Sequence, residues 1–371
     1  MTSRSLSAVV LAAGEGTRMR SSRPKPLHLL CGRAMLFYVI DSLADSPVDK
    51  VVVVVGHGAE RITKKLQAEE PDLVLDFVEQ HVQRGTGDAV AVALTVFPDD
   101  DDLDDGDLLV LPGDTPLLRA GTIARLVQEH RESGAAATML TARLDDPTGY
   151  GRVIRGRDEK VVRVVEQADA TVEEAEIDEI NTSIYCFRRS VLAPALRRVN
   201  PDNAQGEYYL TDVVEVLHNA GYAVRAVEAL DPNETEGVND RRQLAAAEAE
   251  LRARTNRHWM GQGVTMVDPA ATYVDATVQL APDVTLFPGV ILQGHTVIGT
   301  RAEIGPDTRL VDCVVAADAV VDKTSGRDAE IGAGARVGPF AVLEPGASIA
   351  EGSVTGAFYT ARSPDDGVVA N

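Results

Sequence analysis

The chain has 371 residues, 44% hydrophobic and 25% charged, a composition of folded globular proteins and a length that suits two domains. Asp plus Glu number 57 against 36 Lys plus Arg, a formal net charge of −21, which counts against a nucleic-acid partner because phosphates need a basic surface. Three cysteines, Cys31, Cys186 and Cys313, are too scattered for a disulfide framework or a zinc site, and no apolar run suits a signal peptide or a membrane span, so the chain is read as cytoplasmic with free thiols.

In chain order, Ser7–Ala13 is a short apolar strand running into Gly14, Val51–Val55 is a run of valines ending at Gly56, and Leu108–Leu111 leads into Pro112-Gly113-Asp114. Continuous β-branched runs of this kind are strands buried on both faces. Between them, Ala34–Leu43 and Ala59–Glu69 have helical spacing. The order predicts an α/β fold with a mixed, mostly parallel sheet and helices on both faces, whose ligands sit beyond the carboxyl ends of the strands. The Asp run around Asp99 to Asp107 is read as a solvated loop.

Asp240–His258, rich in Ala, Glu, Arg and Leu, predicts a connecting helix. Apolar residues then recur every six positions at Val274, Leu280, Leu286, Leu292, Ile298, Ile304 and Leu310, with companions Val284, Val290, Thr296, Ala302, Thr308 and Val314 four positions further on. A second run, Ile331, Val337, Leu343 and Ile349 with Ala335, Ala341, Ala347 and Ser353, is out of phase with the first, which predicts an inserted loop between Leu310 and Ile331. Hexapeptide periodicity of this kind specifies a short left-handed parallel β-helix. The expected domains are 1–238, a linker helix 239–262, the β-helix 263–358 and a polar tail 359–371.

Chemistry concentrates in Leu11-Ala12-Ala13-Gly14-Glu15-Gly16-Thr17-Arg18-Met19, followed by Pro24-Lys25-Pro26. Small residues and a glycine turn after a strand let backbone N–H groups approach a polyphosphate, and Arg18 and Lys25 would add charge-assisted bonds to its oxygens. Met19 breaks the G-x-G-x-x-G pattern of dinucleotide folds, and no G-K-[ST] is present.

This string resembles the nucleotide-binding signature of sugar-nucleotide pyrophosphorylases. Several further strings narrow the resemblance to the bacterial bifunctional N-acetylglucosamine-1-phosphate uridylyltransferase and glucosamine-1-phosphate acetyltransferase family. They are Gln80 with Gly85-Thr86-Gly87, Pro112 to Pro116, Gly149 to Arg152, Val165-Glu166-Gln167, Glu179 to Thr182, Gln205 to Asp212 and Gly237-Val238-Asn239, in the family's order over roughly residues 6 to 355. The resemblance implies a Rossmann-like nucleotidyltransferase domain and an Mg²⁺-dependent reaction of UTP with N-acetylglucosamine 1-phosphate. On it, Leu11, Ala12, Ala13 and Gly14 would line the uridine site, with Gln80, Gly85 and Thr86 reading the uracil edge. Arg18 and Lys25 would be catalytic, Asp114 and Asn239 would hold Mg²⁺, and Gly151, Glu166, Asn181 and Asn239 would bind the sugar.

Pro112 and Asp88 stand where the family more often has an aromatic residue and His. The resemblance implies a homotrimer built through the β-helix. It also implies a second, acetyl-transfer site, which this chain is expected to lack. Glu344 replaces a phosphate-contacting arginine, no histidine follows His295, and no lysine follows Lys323. The alternatives left open are another sugar 1-phosphate or nucleotide, and a non-catalytic nucleotide-sugar sensor.

Overall fold

A computed structural model describes residues 4–69, 73–97 and 106–362 and divides into two compact units, Met1–His28 with Ala34–Leu244 and Leu29–Arg33 with Ala245–Asn371. The membership of Leu29–Arg33 in the second unit has no counterpart in any sequence pattern. Most of the acidic run, 99–105, lies outside the described residues, as does 363–371 of the expected polar tail.

The first unit is built on one sheet: β1 (Leu6–Ala12), β2 (Lys50–Val55), β3 (Leu75–Glu79), β4 (Asp107–Pro112), β5 (Ala137–Arg143), β6 (Gly151–Arg155), β7 (Val161–Val165), β8 (Glu179–Arg188) and β9 (Val224–Glu228). Its order is β9-β5-β8-β4-β1-β2-β3, with the β6–β7 hairpin joined to β8. β1 pairs parallel with β2 and β4, β2 with β3, and β9 with β5, while β8 runs antiparallel between β4 and β5.

Every residue of Val51–Val55 is buried because both faces are covered. Ala8, Val10, Val51, Val53, Leu109 and Leu111 share one core with α1 (Met35–Asp41), α2 (Ala59–Ala68) and α4 (Ala120–Ser133). Val9, Val52, Val54, Leu108 and Val110 share the other with α3 (Thr86–Leu94), α6 (Arg189–Leu196) and α7 (Asp212–Asn219). The short α5 (Val172–Ala175) lies between β7 and β8 in the chain. At about 1.5–3 kcal/mol for each large apolar side chain fully buried, this stack is the unit's main stabilisation.

The solvated-loop reading fails at Asp107, which begins β4 and is 1% exposed. Arg131 Nε donates to its Oδ2 at 2.9 Å, and Arg4 and His130 lie at 3.5 Å from Oδ1. Burial alone would raise its pKa, but hydrogen bonds from His130 and Arg131 and the positive charge of Arg4 hold it below the usual carboxylate value. A charge run in sequence does not reveal which member has partners waiting.

α8 (Arg241–Gly261) is the expected long helix, and β-strands of two or three residues follow it. They stack into three parallel ladders, beginning at Thr265–Met266, Tyr273–Val274 and Gln279–Leu280. Leu280, Leu286, Leu292, Ile298, Ile304 and Leu310 all point into the core. Asp283, Asp307, Asp312, Asp318 and Asp328 occupy positive φ, the left-handed conformation that Asp tolerates better than most side chains.

The loop expected between Leu310 and Ile331 is absent. Leu310 stacks on Gly326, Val315 on Ile331 and Val321 on Val337 in unbroken ladders. The change of phase comes instead from steps shortened to five residues, Leu310 to Val315, Val321 to Gly326 and Gly326 to Ile331. Val314 is therefore 48% exposed, and Cys313, fully buried, takes the inward place expected of it. Cys31, Cys186 and Cys313 are all buried free thiols. Among the described residues no helix is long and apolar enough to cross a membrane.

Candidate active site

A cleft of about 510 Å³ opens beyond the carboxyl ends of β1 and β4. Every site residue expected from the sequence lines it: Leu11, Ala12, Ala13 and Gly14; Arg18 and Lys25; Gln80, Gly85 and Thr86; Asp114, Gly151, Glu166, Asn181 and Asn239. A larger cavity, about 620 Å³ between α3 and α6, contains none of them, so size alone does not locate the chemistry.

β1 ends at Ala12 and passes into a glycine turn and a single 3₁₀ turn, Thr17–Met19, rather than a long helix. Gly16 sits at φ +65°, and a Cβ there would lie 2.6 Å from Lys25 Cβ, so glycine is what lets the loop close over Lys25. Apart from Gly14 itself and its two chain neighbours, no atom of the described residues lies within 4 Å of a Cβ built on Gly14, which leaves that backbone open on the cleft side. Gln83 Nε2 donates to Ala13 O at 2.8 Å and holds the turn.

Lys25 is the centre of the polar cluster. Its Nζ bonds Asp114 Oδ2 and donates to Asn239 Oδ1 at 2.7 Å, while Arg18 donates to that same Asn239 oxygen at 2.9 Å. Asp114 follows β4, and Val238 N donates to its backbone carbonyl at 2.8 Å, which pins the Gly237–Asn239 segment beside the strand end. Two hard oxygens, Asp114 Oδ2 and Asn239 Oδ1, thus converge on one cationic atom. Among the described residues no group of three acidic, His or Cys side chains could enclose a metal. This donor pair fits a hard divalent ion that draws its other ligands from phosphate and water.

Gly85 at one end of the cleft has φ +108°, and a Cβ on it would meet Tyr208 O at 2.6 Å. Gly87 N donates to that carbonyl at 2.8 Å, so the Gly85-Thr86-Gly87 turn is packed onto the chain before α7. Leu210 N donates to Thr86 Oγ1 at 3.0 Å, which leaves the hydroxyl proton free to donate. Gln80 is buried, and its Nε2 donates to Gly85 O at 3.2 Å and to Asp88 Oδ2 at 2.8 Å.

Glu166, Gly151 and Asn181 meet at the other end. A Cβ on Gly151 would stand 3.3 Å from Glu166 Oε2, so its absence leaves room beside the carboxylate. Burial raises the Glu166 pKa above the usual value, opposed by the Thr211 hydroxyl that donates to Oε1 at 3.0 Å. Asn181 Oδ1 accepts from Tyr185 Oη at 2.8 Å and from Ser183 N at 3.1 Å, which turns its NH₂ group towards the cleft. Arg152, 1% exposed, binds Tyr150 O and Gln167 Oε1 and braces the Gly149–Gly151 turn.

Gln83, Tyr185 and Asp88 are not singled out as site residues by the sequence. Gln83 lies within the Gln80 to Gly87 string, which is its only signal, and Asp88 follows that string at the place where the family more often has His. Tyr185, four residues beyond Asn181 on β8, has none.

The MobA-like NTP transferase domain family matches residues 8–220. A bifunctional protein GlmU of Kineococcus radiotolerans is 47% identical over 347 residues, covering 93% of this chain and 70% of that protein. Bifunctional GlmU proteins of Exiguobacterium sibiricum and Bifidobacterium longum are 44% and 45% identical over 96% and 95% of this chain, and 77% and 75% of theirs.

Proposed function

The chain belongs to the GlmU family of nucleotidyltransferases, and from that membership we propose how its own residues carry out the reaction. The protein is an N-acetylglucosamine-1-phosphate uridylyltransferase: it converts UTP and N-acetylglucosamine 1-phosphate to UDP-N-acetylglucosamine and pyrophosphate.

The observation that carries the mechanism is the convergence of Lys25, Arg18, Asp114 and Asn239 between the two ends of the cleft. A phosphate oxygen of the sugar 1-phosphate attacks the α-phosphorus of UTP, the α–β phosphoanhydride bond breaks, and pyrophosphate leaves. The attacking oxygen is already ionised, so no general base or covalent nucleophile is needed and positioning dominates. Leu11, Ala12, Ala13 and Gly14 hold the uridine, with Gln80, Gly85 and Thr86 at its base edge. Arg18 and Lys25 neutralise the α-phosphate and the leaving group, whose negative charge grows in the transition state. Gly151, Glu166 and Asn181 take the amino sugar, through a backbone amide, an accepting carboxylate and a donating carboxamide.

The family uses a divalent metal. Here we assign Mg²⁺, held by Asp114 and Asn239, whose chemistry is charge neutralisation at phosphate oxygens. Lys25, which holds these two side chains here, would be free to bind phosphate where Asp114 and Asn239 hold the ion.

The same reading puts the protein in the cytoplasm, as a homotrimer assembled through the β-helix, which sedimentation would check. It assigns no acetyl transfer to the described β-helix, since Glu344 faces Arg362 at 3.5 Å where the resemblance calls for an arginine that contacts the sugar phosphate. The test is pyrophosphate release with UTP, dTTP, CTP, ATP and GTP against several sugar 1-phosphates, with and without EDTA. Acetyl-CoA and glucosamine 1-phosphate form a parallel arm. Activity confined to UTP, N-acetylglucosamine 1-phosphate and added Mg²⁺ supports the assignment; turnover with glucose 1-phosphate alone overturns the sugar.

A further inference from the structure

Gln80 is a carboxamide, and either of its two faces could meet a base. Its surroundings decide which. Gly85 O at 3.2 Å and Asp88 Oδ2 at 2.8 Å both lie at one terminal atom of the side chain. A carbonyl and a carboxylate only accept hydrogen bonds, so that atom is the NH₂ and both its protons are engaged. Turning the amide over would set Oε1 against two acceptors in a buried place. Oε1 has no protein partner among the described residues and belongs to a side chain that lines the cleft. The site therefore shows the base an acceptor.

We propose that Asp88 is a positioning residue for base selection: its carboxylate locks the Gln80 amide so that the enzyme favours a pyrimidine whose ring nitrogen N3 carries a proton. Uracil and thymine present N3–H and pair with Oε1. Cytosine presents an unprotonated N3, which would face Oε1 acceptor to acceptor. To accept cytosine the amide must turn over, and the charge-assisted bond to Asp88 is the larger part of what opposes that turn, being shorter than the bond to Gly85 O and made to an ionised group. Rejection by an unpaired buried polar group discriminates more sharply than a difference in apolar fit.

Asp88 also lies in the first turn of α3, where an acidic residue is favourable by itself. That role predicts a general loss of order and no change in base preference, which separates the two. This inference rests on Gln80 facing the base, so the experiment includes Gln80 itself.

The measurement is kcat/KM for UTP and for CTP with N-acetylglucosamine 1-phosphate, in the wild type, Asp88→Ala, Asp88→Asn and Gln80→Ala, with thermal midpoints for each. Asp88→Ala leaves only Gly85 O to oppose the flip, and the preference for UTP over CTP is expected to fall about tenfold. Asn keeps an acceptor but can itself turn over, so Asp88→Asn is expected to lie between. Equal losses for both nucleotides in Asp88→Ala, with the ratio unchanged while Gln80→Ala does alter it, overturn the role of Asp88. An unchanged ratio in Gln80→Ala overturns the base-site reading, and the inference with it.

Discussion

The two units reach order by opposite routes. In the α/β unit the decisive contacts join residues far apart in the chain: Arg18 meets Asn239 across 221 positions, and Lys25 meets Asp114 across 89. In the β-helix each strand stacks on the one a coil away, as Leu292 does on Leu310 and Leu343 on Ala361. A solenoid of that kind buries a continuous core by repetition and needs few special residues. A sheet with crossover helices instead brings strand ends and loops of many origins to one edge, where different side chains share a cleft. Chemistry concentrates in the first, and regularity in the second.

Substitutions put that contrast at risk. Asp114→Ala, which removes one of two converging oxygens, should do the most damage: turnover is expected to fall by about 10³-fold or more, with the thermal midpoint little changed. Near-normal rates at saturating Mg²⁺ would remove Asp114 from the metal site. Lys25→Ala follows, with a loss of about 10²–10³-fold in kcat/KM, since Arg18 remains to hold phosphate. A purely structural Lys25 would show itself as a drop in stability with kinetics unaltered.

Leu292→Ala probes the other unit. It empties a fully buried place in the β-helix core and is expected to cost about 2–5 kcal/mol of stability. Uridylyl transfer below the unfolding temperature should stay within about twofold of the wild type. Loss of activity at temperatures where the variant is folded would show that the two units are not separable in function.

A slighter change is expected in the acidic group beside Glu166. Burial, with Glu215 and Asp169 nearby, raises the Asp212 pKa from 3.8 to about 6. The folded chain then holds this proton more tightly than the unfolded chain, so between about pH 4 and 6 Asp212 makes stability fall as pH rises. Asp212→Asn should match the wild type near pH 4, exceed it increasingly up to about pH 6, and keep a constant advantage above that. Parallel stability curves across this range would remove the perturbed carboxyl.

Much of this is legible in the amino-acid sequence. The valine run 51–55 is a strand buried on both faces, and the hexapeptide residues from Leu280 to Leu310 are core, because burial leaves its period in the sequence. The strings bearing Arg18, Lys25, Asp114, Glu166, Asn181 and Asn239 are recognisable one by one, and all of them line one cleft. Partners are not legible. Asp107 looks like part of a solvated acidic run and is a buried strand residue with Arg131 against it. The phase change after Leu310 looks like an insertion and is a shortening of coils, since a pattern that slips does not say in which direction length was changed.

Local pattern is enough to specify the two architectures, because periodicity and turn chemistry act between near neighbours in the chain, while the roles proposed for residues at phosphate, metal, base and sugar come from the family resemblance. Which way the polar groups face is settled by folding alone. Asp88 turns the Gln80 amide one way and Tyr185 turns that of Asn181 the other, and Lys25 sits between Asp114 and Asn239. Hydrogen-bond direction is set by whichever donor or acceptor folding brings within about 3 Å, whether that group is near in the chain, as Asp88 is to Gln80 and Tyr185 to Asn181, or far away, as Asp114 and Asn239 are from Lys25.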